Sequence, residues 1–208
     1  MFGKSAVVGA LLLSTAVDKP GHTAHRVSET TLSSIQAWFA ELDRVKPDET
    51  FGELAVRAAR LRLGTPYDDT PQSAGPETLE VRVDKLHCVS LVEYADALAR
   101  CLWRESPTSS CFLGEVEQTR YRNGEMSNYA SRLHYFVDWL GDNQKRERLR
   151  RLDRELTAVS IREPFFFMTR HPHSYPALAD QDTRAAIVAA EKRLSHAEHM
   201  YVPRERIS

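Results

Sequence analysis

The segment Asp84-Lys-Leu-His-Cys-Val-Ser-Leu-Val-Glu-Tyr-Ala-Asp-Ala-Leu-Ala99 places a single cysteine, Cys88, where an apolar, helix-periodic run begins. Val89, Val92 (or Leu91), Ala95 and Leu98 recur behind it at helical spacing, which predicts a buried helix with the sulfur in its first turn. Unpaired backbone N–H groups and the positive end of the macrodipole favour a thiolate at that position. The thiolate, not the thiol, is the form that attacks an amide carbonyl. A free cysteine is also among the most buried residue types, so a packing role for Cys88 stands beside the nucleophilic one.

Upstream, the chain prepares this helix. Val27 to Leu42 reads as an amphipathic helix, with Leu32, Ile35, Phe39 and Leu42 on one face and Ser28 or Thr30 as cap. Thr50-Phe-Gly-Glu53 is a capping box opening a second helix, with Leu54, Ala58 and Leu61 on one side and Gly64 as its stop. Gly64-Thr-Pro-Tyr67 is a turn, and residues 68–77 form a polar loop. Leu79-Glu-Val-Arg-Val83 alternates apolar and charged residues, a short strand pattern leading into the cysteine. Downstream, a helix is expected over 109–119 with Phe112 and Val116 on one face. The Phe165 to Met168 run reads as a buried strand, and 182–196 as an Asp-capped helix with Ala186, Ile187, Ala190 and Leu194 inward.

Bulk properties narrow the function classes. The chain has 208 residues and a formal net charge of −1, with 28 basic and 29 acidic residues, which gives no electrostatic footprint for nucleic acid. The basic run from Lys145 to Arg154 reads as a solvated helix face with Glu147 and Arg151 paired. Three cysteines are too few for a disulfide scaffold, and neither a glycine-rich phosphate loop nor an internal repeat is present. Ala6 to Val17 is apolar, too short for stable membrane insertion, and Ser14-Thr-Ala16 has the small-x-small pattern of a signal-peptidase cut. Residues 1–16 therefore read as a signal peptide and the protein as periplasmic or secreted, the alternative being a buried element of the domain itself. In an oxidising compartment Cys101 and Cys111 could pair.

The turn Gly64-Thr-Pro-Tyr67 followed by a cysteine opening a helix as Cys88-Val-Ser-Leu-Val-Glu93 resembles the NlpC-type branch of papain-like cell-wall amidases. Arg120-Tyr-Arg-Asn-Gly124, Tyr129-Ala-Ser-Arg-Leu-His-Tyr-Phe-Val-Asp-Trp139, Phe167-Met-Thr-Arg-His171, Tyr175 and Tyr201-Val-Pro203 are similar to one subfamily. That is the N-acetylmuramoyl-L-alanine amidase-like family, formerly domain of unknown function 1460. The resemblance spans the domain of residues 28–208. It implies an α+β, papain-like fold and hydrolysis of the amide between N-acetylmuramic acid and L-alanine in muropeptides, with no cofactor. By the same resemblance Cys88 is the nucleophile and Tyr67 the tyrosine beside it. Arg132, His134 and Tyr135 line the substrate cleft, Arg132 being suited to a stem-peptide carboxylate.

Two departures accompany the resemblance. His87 stands where the family usually has Asp before the cysteine. The family's general base is a histidine in a later Gly-Leu-Asp-x-x-His motif, on antiparallel strands beyond the Tyr-x-Pro segment, and no matching segment follows Cys88 before Ser208. The expectation is thus a helix-rich part of the fold with most of the antiparallel barrel absent, its apolar faces open unless a partner covers them. His134, oriented by Asp138 or Asp142, is the substitute base to test. The pairs His171/His173 and His196/His199 are the places to look for zinc, although neither sits in a His-Glu-x-x-His arrangement. Two functions follow: a cysteine amidase of the cell wall, or a truncated, non-catalytic or partner-dependent muropeptide-binding protein.

Overall fold

A computed structural model describes residues 27–70, 75–152, 155–156 and 158–206. The signal-peptide reading of residues 1–16 lies outside them. Among the described residues seven α-helices run in order: α1 Glu29–Leu42, α2 Phe51–Arg60, α3 Cys88–Trp103, α4 Ser109–Arg120, α5 Phe136–Lys145, α6 Phe167–Arg170 and α7 Gln181–His196. Two short strands, β1 Val159–Ile161 and β2 His199–Tyr201, pair antiparallel with Ser160 opposite Met200. The chain is a helix-rich α+β protein with one small antiparallel sheet among its described residues.

The first four helices start where side chains can accept their orphan N–H groups. Ser28 accepts from Thr31 N–H, Thr50 and Glu53 form a capping box, and Thr108 accepts from Cys111 N–H. α3 begins with a reciprocal box in which His87 Nδ1 accepts from Ser90 N–H at 3.1 Å and Ser90 Oγ accepts from His87 N–H at 3.0 Å. A histidine thus supplies the cap of α3. α2 ends in a turn that passes through Gly64 at φ +83°, a left-handed conformation natural to glycine.

α3 is the spine of the main core, packed between α2 and α4 with α1 against α4. Leu98 and Cys101 of α3 are fully buried with Ile35, Leu54 and Phe112. Full burial of each such aliphatic or aromatic side chain contributes about 1.5–3 kcal/mol. Trp38, Tyr94 and Phe112 form a ring cluster with centroids 5.3–6.4 Å apart. Cys101 and Cys111 are joined in a disulfide that fastens α3 to α4 across a Cα–Cα distance of 6.0 Å.

The buried face of α3 keeps Ala95 and Leu98 of the expected stripe but is wider and more polar than the apolar periodicity suggests. Ser90, Glu93, Tyr94, Ala95, Ala97 and Leu98 face inward, whereas Val92 is 53% exposed. Polar residues can turn in because each is matched: Glu93 by Arg120, and the Tyr94 hydroxyl by the Arg82 N–H at 3.1 Å. Leu91 and Val92 line an open, mostly apolar groove with Val56 and Trp139.

Four other sequence expectations are corrected. Leu79 to Val83 alternates in burial but forms no strand, only a single bridge at Glu80. Its backbone is held by side chains, with Arg120 donating to the Glu80 carbonyl and Tyr94 accepting from Arg82 N–H. The basic run after Lys145 is not a helix, because α5 ends there. Arg146 turns back to Asp142 and Arg148 reaches Glu115, so these two are drawn into packing while Arg150 stays exposed. The Phe165 to Met168 run is no buried strand either. It enters the helical turn α6, burying Met168 and leaving Phe167 55% exposed. The cap of α7 is Asp180 rather than Asp182, and Glu191 takes the inward place while Ala186 is exposed.

A smaller cluster of Tyr129, Met168, Leu178 and Ile187 forms the second half. Its centre is polar. Buried Glu191 accepts from the Tyr135 hydroxyl at 2.6 Å and from the Thr169 N–H and hydroxyl. Asp138 clasps the two halves together, accepting from Arg122 at 2.6 and 3.1 Å and from Arg193 at 3.0 and 3.1 Å.

Candidate active site

The turn before the loop and the residue before the cap are tied by a short parallel pairing. Asp68 N–H donates to the Leu86 carbonyl and Leu86 N–H to the Pro66 carbonyl, each at 3.0 Å. This pairing brings Tyr67 alongside Leu86 and fixes where α3 begins. Cys88 is the first residue of α3, carries a free thiol and is exposed. The first-turn position read from the sequence is therefore occupied, at the surface rather than in the core.

On either side of Cys88, His87 and Val89 contribute to a cleft of about 200 Å³. Its floor is the buried pair Glu93–Arg120. Arg120 donates from Nε and Nη2 to Glu93 Oε2 at 2.9 and 2.7 Å, and from Nη1 to the Glu80 carbonyl at 2.7 Å. Burial alone would lower the Arg120 guanidinium, but Glu93 beside it raises it above its ordinary value. Nearer the opening, Asp68 and Arg82 face each other at 3.5 Å. A hydrogen bond from Thr70, with help from Arg82, holds the Asp68 carboxyl below the usual range against the opposing effect of burial.

The sequence-selected residues divide. Arg132 and His134 line the cleft. Arg132 is already engaged, donating from Nε to Glu77 at 2.9 Å and from Nη2 to the Tyr121 hydroxyl at 3.3 Å. His134 Nε2 lies 2.9 Å from the Tyr129 carbonyl, which places the proton on Nε2 and leaves Nδ1 as an acceptor. Burial pushes its imidazole down to about 4, so it is neutral at physiological pH. Neither proposed orienter touches it: Asp138 is held by Arg122 and Arg193, and Asp142 by Arg146 and the Asn123 N–H. The acid–base pairing of His134 with Asp138 or Asp142 is therefore corrected. Tyr67 turns its ring outward, 67% exposed, and Tyr135 serves the Glu191 centre of the second half.

His87 has its Nδ1 occupied by the cap, and burial holds its imidazole below the ordinary value against the pull of Glu93. Among the described residues no histidine hydrogen-bonds Cys88, and no three His, Cys, Asp or Glu side chains gather as metal ligands. His196 and His199 each direct a ring nitrogen to a backbone carbonyl, as does His171. Arg82, Glu93 and Arg120 are the cleft residues that sequence reading missed. Glu93, a charge within an otherwise apolar helix, was the available signal.

Comparison with known proteins supplies the lineage. Residues 57–208 match the family described as N-acetylmuramoyl-L-alanine amidase-like. The chain belongs to this family. An N-acetylmuramoyl-L-alanine amidase from Bacteroides uniformis is similar at 28% identity, with a TM-score of 0.69 over 76% of this chain and 67% of that one. Protein LPG0564 from Legionella pneumophila, a DUF1460 structure, is similar in fold at 20% identity, with a TM-score of 0.57 over 84% of this chain and 63% of that one. The chain thus spans about two-thirds of the length of these solved structures. Curated proteins give no match. The resemblance to the N-acetylmuramoyl-L-alanine amidase-like family is confirmed.

Proposed function

We propose that this family member is a papain-like, NlpC-type cysteine amidase of the cell wall, cleaving the amide between N-acetylmuramic acid and L-alanine in peptidoglycan fragments. The observation that carries the reading is an exposed free thiol, Cys88, at the first residue of α3, flanked by two residues that line a cleft. In this reading the Cys88 sulfur attacks the lactyl carbonyl carbon. The C–N bond then breaks, the alanine nitrogen leaves with a proton as an amine, and water hydrolyses the resulting thioester. First-turn N–H groups of α3 are suited to the oxyanion that forms on the way. The thiol proton needs a base, and the reading assigns that role to none of the described histidines. The chemistry requires no cofactor. Export to the periplasm or beyond belongs to the same proposal, supported by the Cys101–Cys111 disulfide, which persists in oxidising compartments.

A second reading, a non-catalytic or partner-dependent muropeptide-binding protein, draws on one observation: the two cleft imidazoles are engaged with the α3 cap and the Tyr129 carbonyl, not with sulfur. One experiment separates the two. The 208-residue protein and its Cys88→Ala variant are incubated with anhydromuropeptides and the released stem peptide is quantified. The amidase reading expects release by the parent and at least a thousandfold less by the variant. Equal release by both would remove Cys88 as nucleophile, and no release by either would favour binding alone.

A further inference from the structure

The cleft contains three guanidinium groups, and they are not equally committed. Arg120 is buried with every nitrogen bonded: Nε and Nη2 to Glu93, Nη1 to Glu80. Arg132 is clamped by Glu77 and Tyr121. Arg82 is held only by long single contacts: Nη1 at 3.2 Å from Thr70 and 3.5 Å from Asp68, Nη2 at 3.3 Å from Asp84. Its Nε takes part in no hydrogen bond among the described residues, and its side chain is 31% exposed. A guanidinium binds a carboxylate best through two parallel short N–H···O bonds, and the Arg82 fork has none. It is the cleft cation with capacity left for an incoming anion.

A second observation points the same way. Glu93 is 1% exposed, and Arg120 bonds only its Oε2. Oε1 accepts no hydrogen bond among the described residues. Glu93 lines the cleft, so this oxygen is the unfilled acceptor at its floor. Because Arg120 already neutralises the carboxylate, a neutral N–H suits Oε1 better than a second cation.

We infer that this cleft is the subsite for the peptide half of the ligand, an N-acylated acidic peptide, with Arg82 taking a carboxylate and Glu93 Oε1 accepting an amide N–H. The inference deepens the proposed amidase function and rests on it for the identity of the peptide. It moves carboxylate recognition from Arg132, where the sequence suggested it, to Arg82. Arg132 becomes a positioning residue that anchors Glu77 and the cleft wall.

The test is binding rather than turnover, so its outcome is independent of the amidase reading. N-acetyl-L-alanyl-γ-D-glutamate is titrated into the full chain and the dissociation constant read from NMR shifts of the cleft residues. Saturation below about 10 mM is expected, with at least tenfold weaker binding for the Arg82→Gln variant and for the peptide with both carboxylates amidated. Arg82 bears only long contacts, so Arg82→Gln is expected to fold, which its NMR spectrum checks directly. Two depsipeptides, each with one amide N–H replaced by an ester oxygen, examine Glu93 without altering the protein. One of them should bind about tenfold more weakly. No saturation by the diacid, or equal affinity for the diamide or for Arg82→Gln, would overturn the assignment of Arg82. Equal affinity for both depsipeptides would overturn that of Glu93. Binding as expected, with stem-peptide release unaffected by Cys88→Ala, would leave the subsite standing and remove the amidase mechanism.

Discussion

In the first half of the described chain, every helix begins at a side-chain cap: Ser28, Thr50, His87 and Thr108. In the second half, only α7 has such a cap, Asp180, and α5 and α6 begin with none. The first half closes around an aromatic and aliphatic core, stapled by Cys101–Cys111. The second gathers a few apolar residues around a buried carboxylate, Glu191, and is fastened to the first by Asp138 between Arg122 and Arg193. Local signals weigh more in the first region, and long-range polar contacts more in the second. The candidate site lies where the locally shaped region turns polar inside, at the floor made by Glu93 and Arg120.

That floor is where the comparison can be broken most severely. Arg120→Met leaves Glu93 as a buried, unpaired carboxylate, and breaking such a pair typically costs about 3–5 kcal/mol. Urea unfolding at pH 7 should show a loss of that size, and the double variant Arg120→Met/Glu93→Leu should recover most of it. A single-variant loss below about 1 kcal/mol would mean that water reaches the floor freely, and that the first half is less dry than its core suggests. The next effect in size belongs to the staple. Replacing both Cys101 and Cys111 by Ala releases a link between residues ten apart, which chain-entropy arguments value at about 2–3 kcal/mol. The same loss should appear in the parent on full reduction, and a parent indifferent to reductant would show that packing of α3 on α4 suffices without the bond.

Legibility in the sequence follows the same division. Caps and amphipathic repeats act within four residues, so α1, α2, α4 and the start of α3 at Cys88 could be read directly. The orientation of α3 could not, because Tyr94 and Glu93 turn inward only when Arg82 and Arg120 arrive from 12 and 27 residues away. For the same reason Phe165 to Met168 looked like a core strand, whereas α6 is set by Tyr135 and Glu191 meeting Met168 and Thr169. At the site, Cys88, Arg132 and His134 were visible as motif residues. Their partners were not: a single sequence cannot display Glu77 against Arg132, and it offered Asp138 and Asp142 to His134 when the actual acceptor is a backbone carbonyl.

The smallest predicted effect concerns the clasp between the two halves, and its sign with pH can be worked out. Burial alone would raise the Asp138 carboxyl, but hydrogen bonds and charge from Arg122 and Arg193 hold it below its ordinary value. The folded protein therefore binds this proton less readily than the unfolded chain. The stabilisation is complete above the unfolded value near 4 and is lost as pH falls through the lower folded value. Asp138→Asn keeps the shape and removes the charge, so at pH 7 it should cost about 1–2 kcal/mol. On acidification the parent loses this contribution and the variant has none to lose, so the gap between their urea midpoints should narrow below about pH 4. Hydrogen exchange in α7, measured alongside, locates the loss: faster exchange there with α3 unchanged would show that the second half loosens by itself. If the gap instead stays constant down to acid unfolding, the charge on Asp138 is not what fastens α7 to the first half. The contact through Tyr129, Met168 and Ile187 would then carry the junction, and the second half would be as apolar in its energetics as the first.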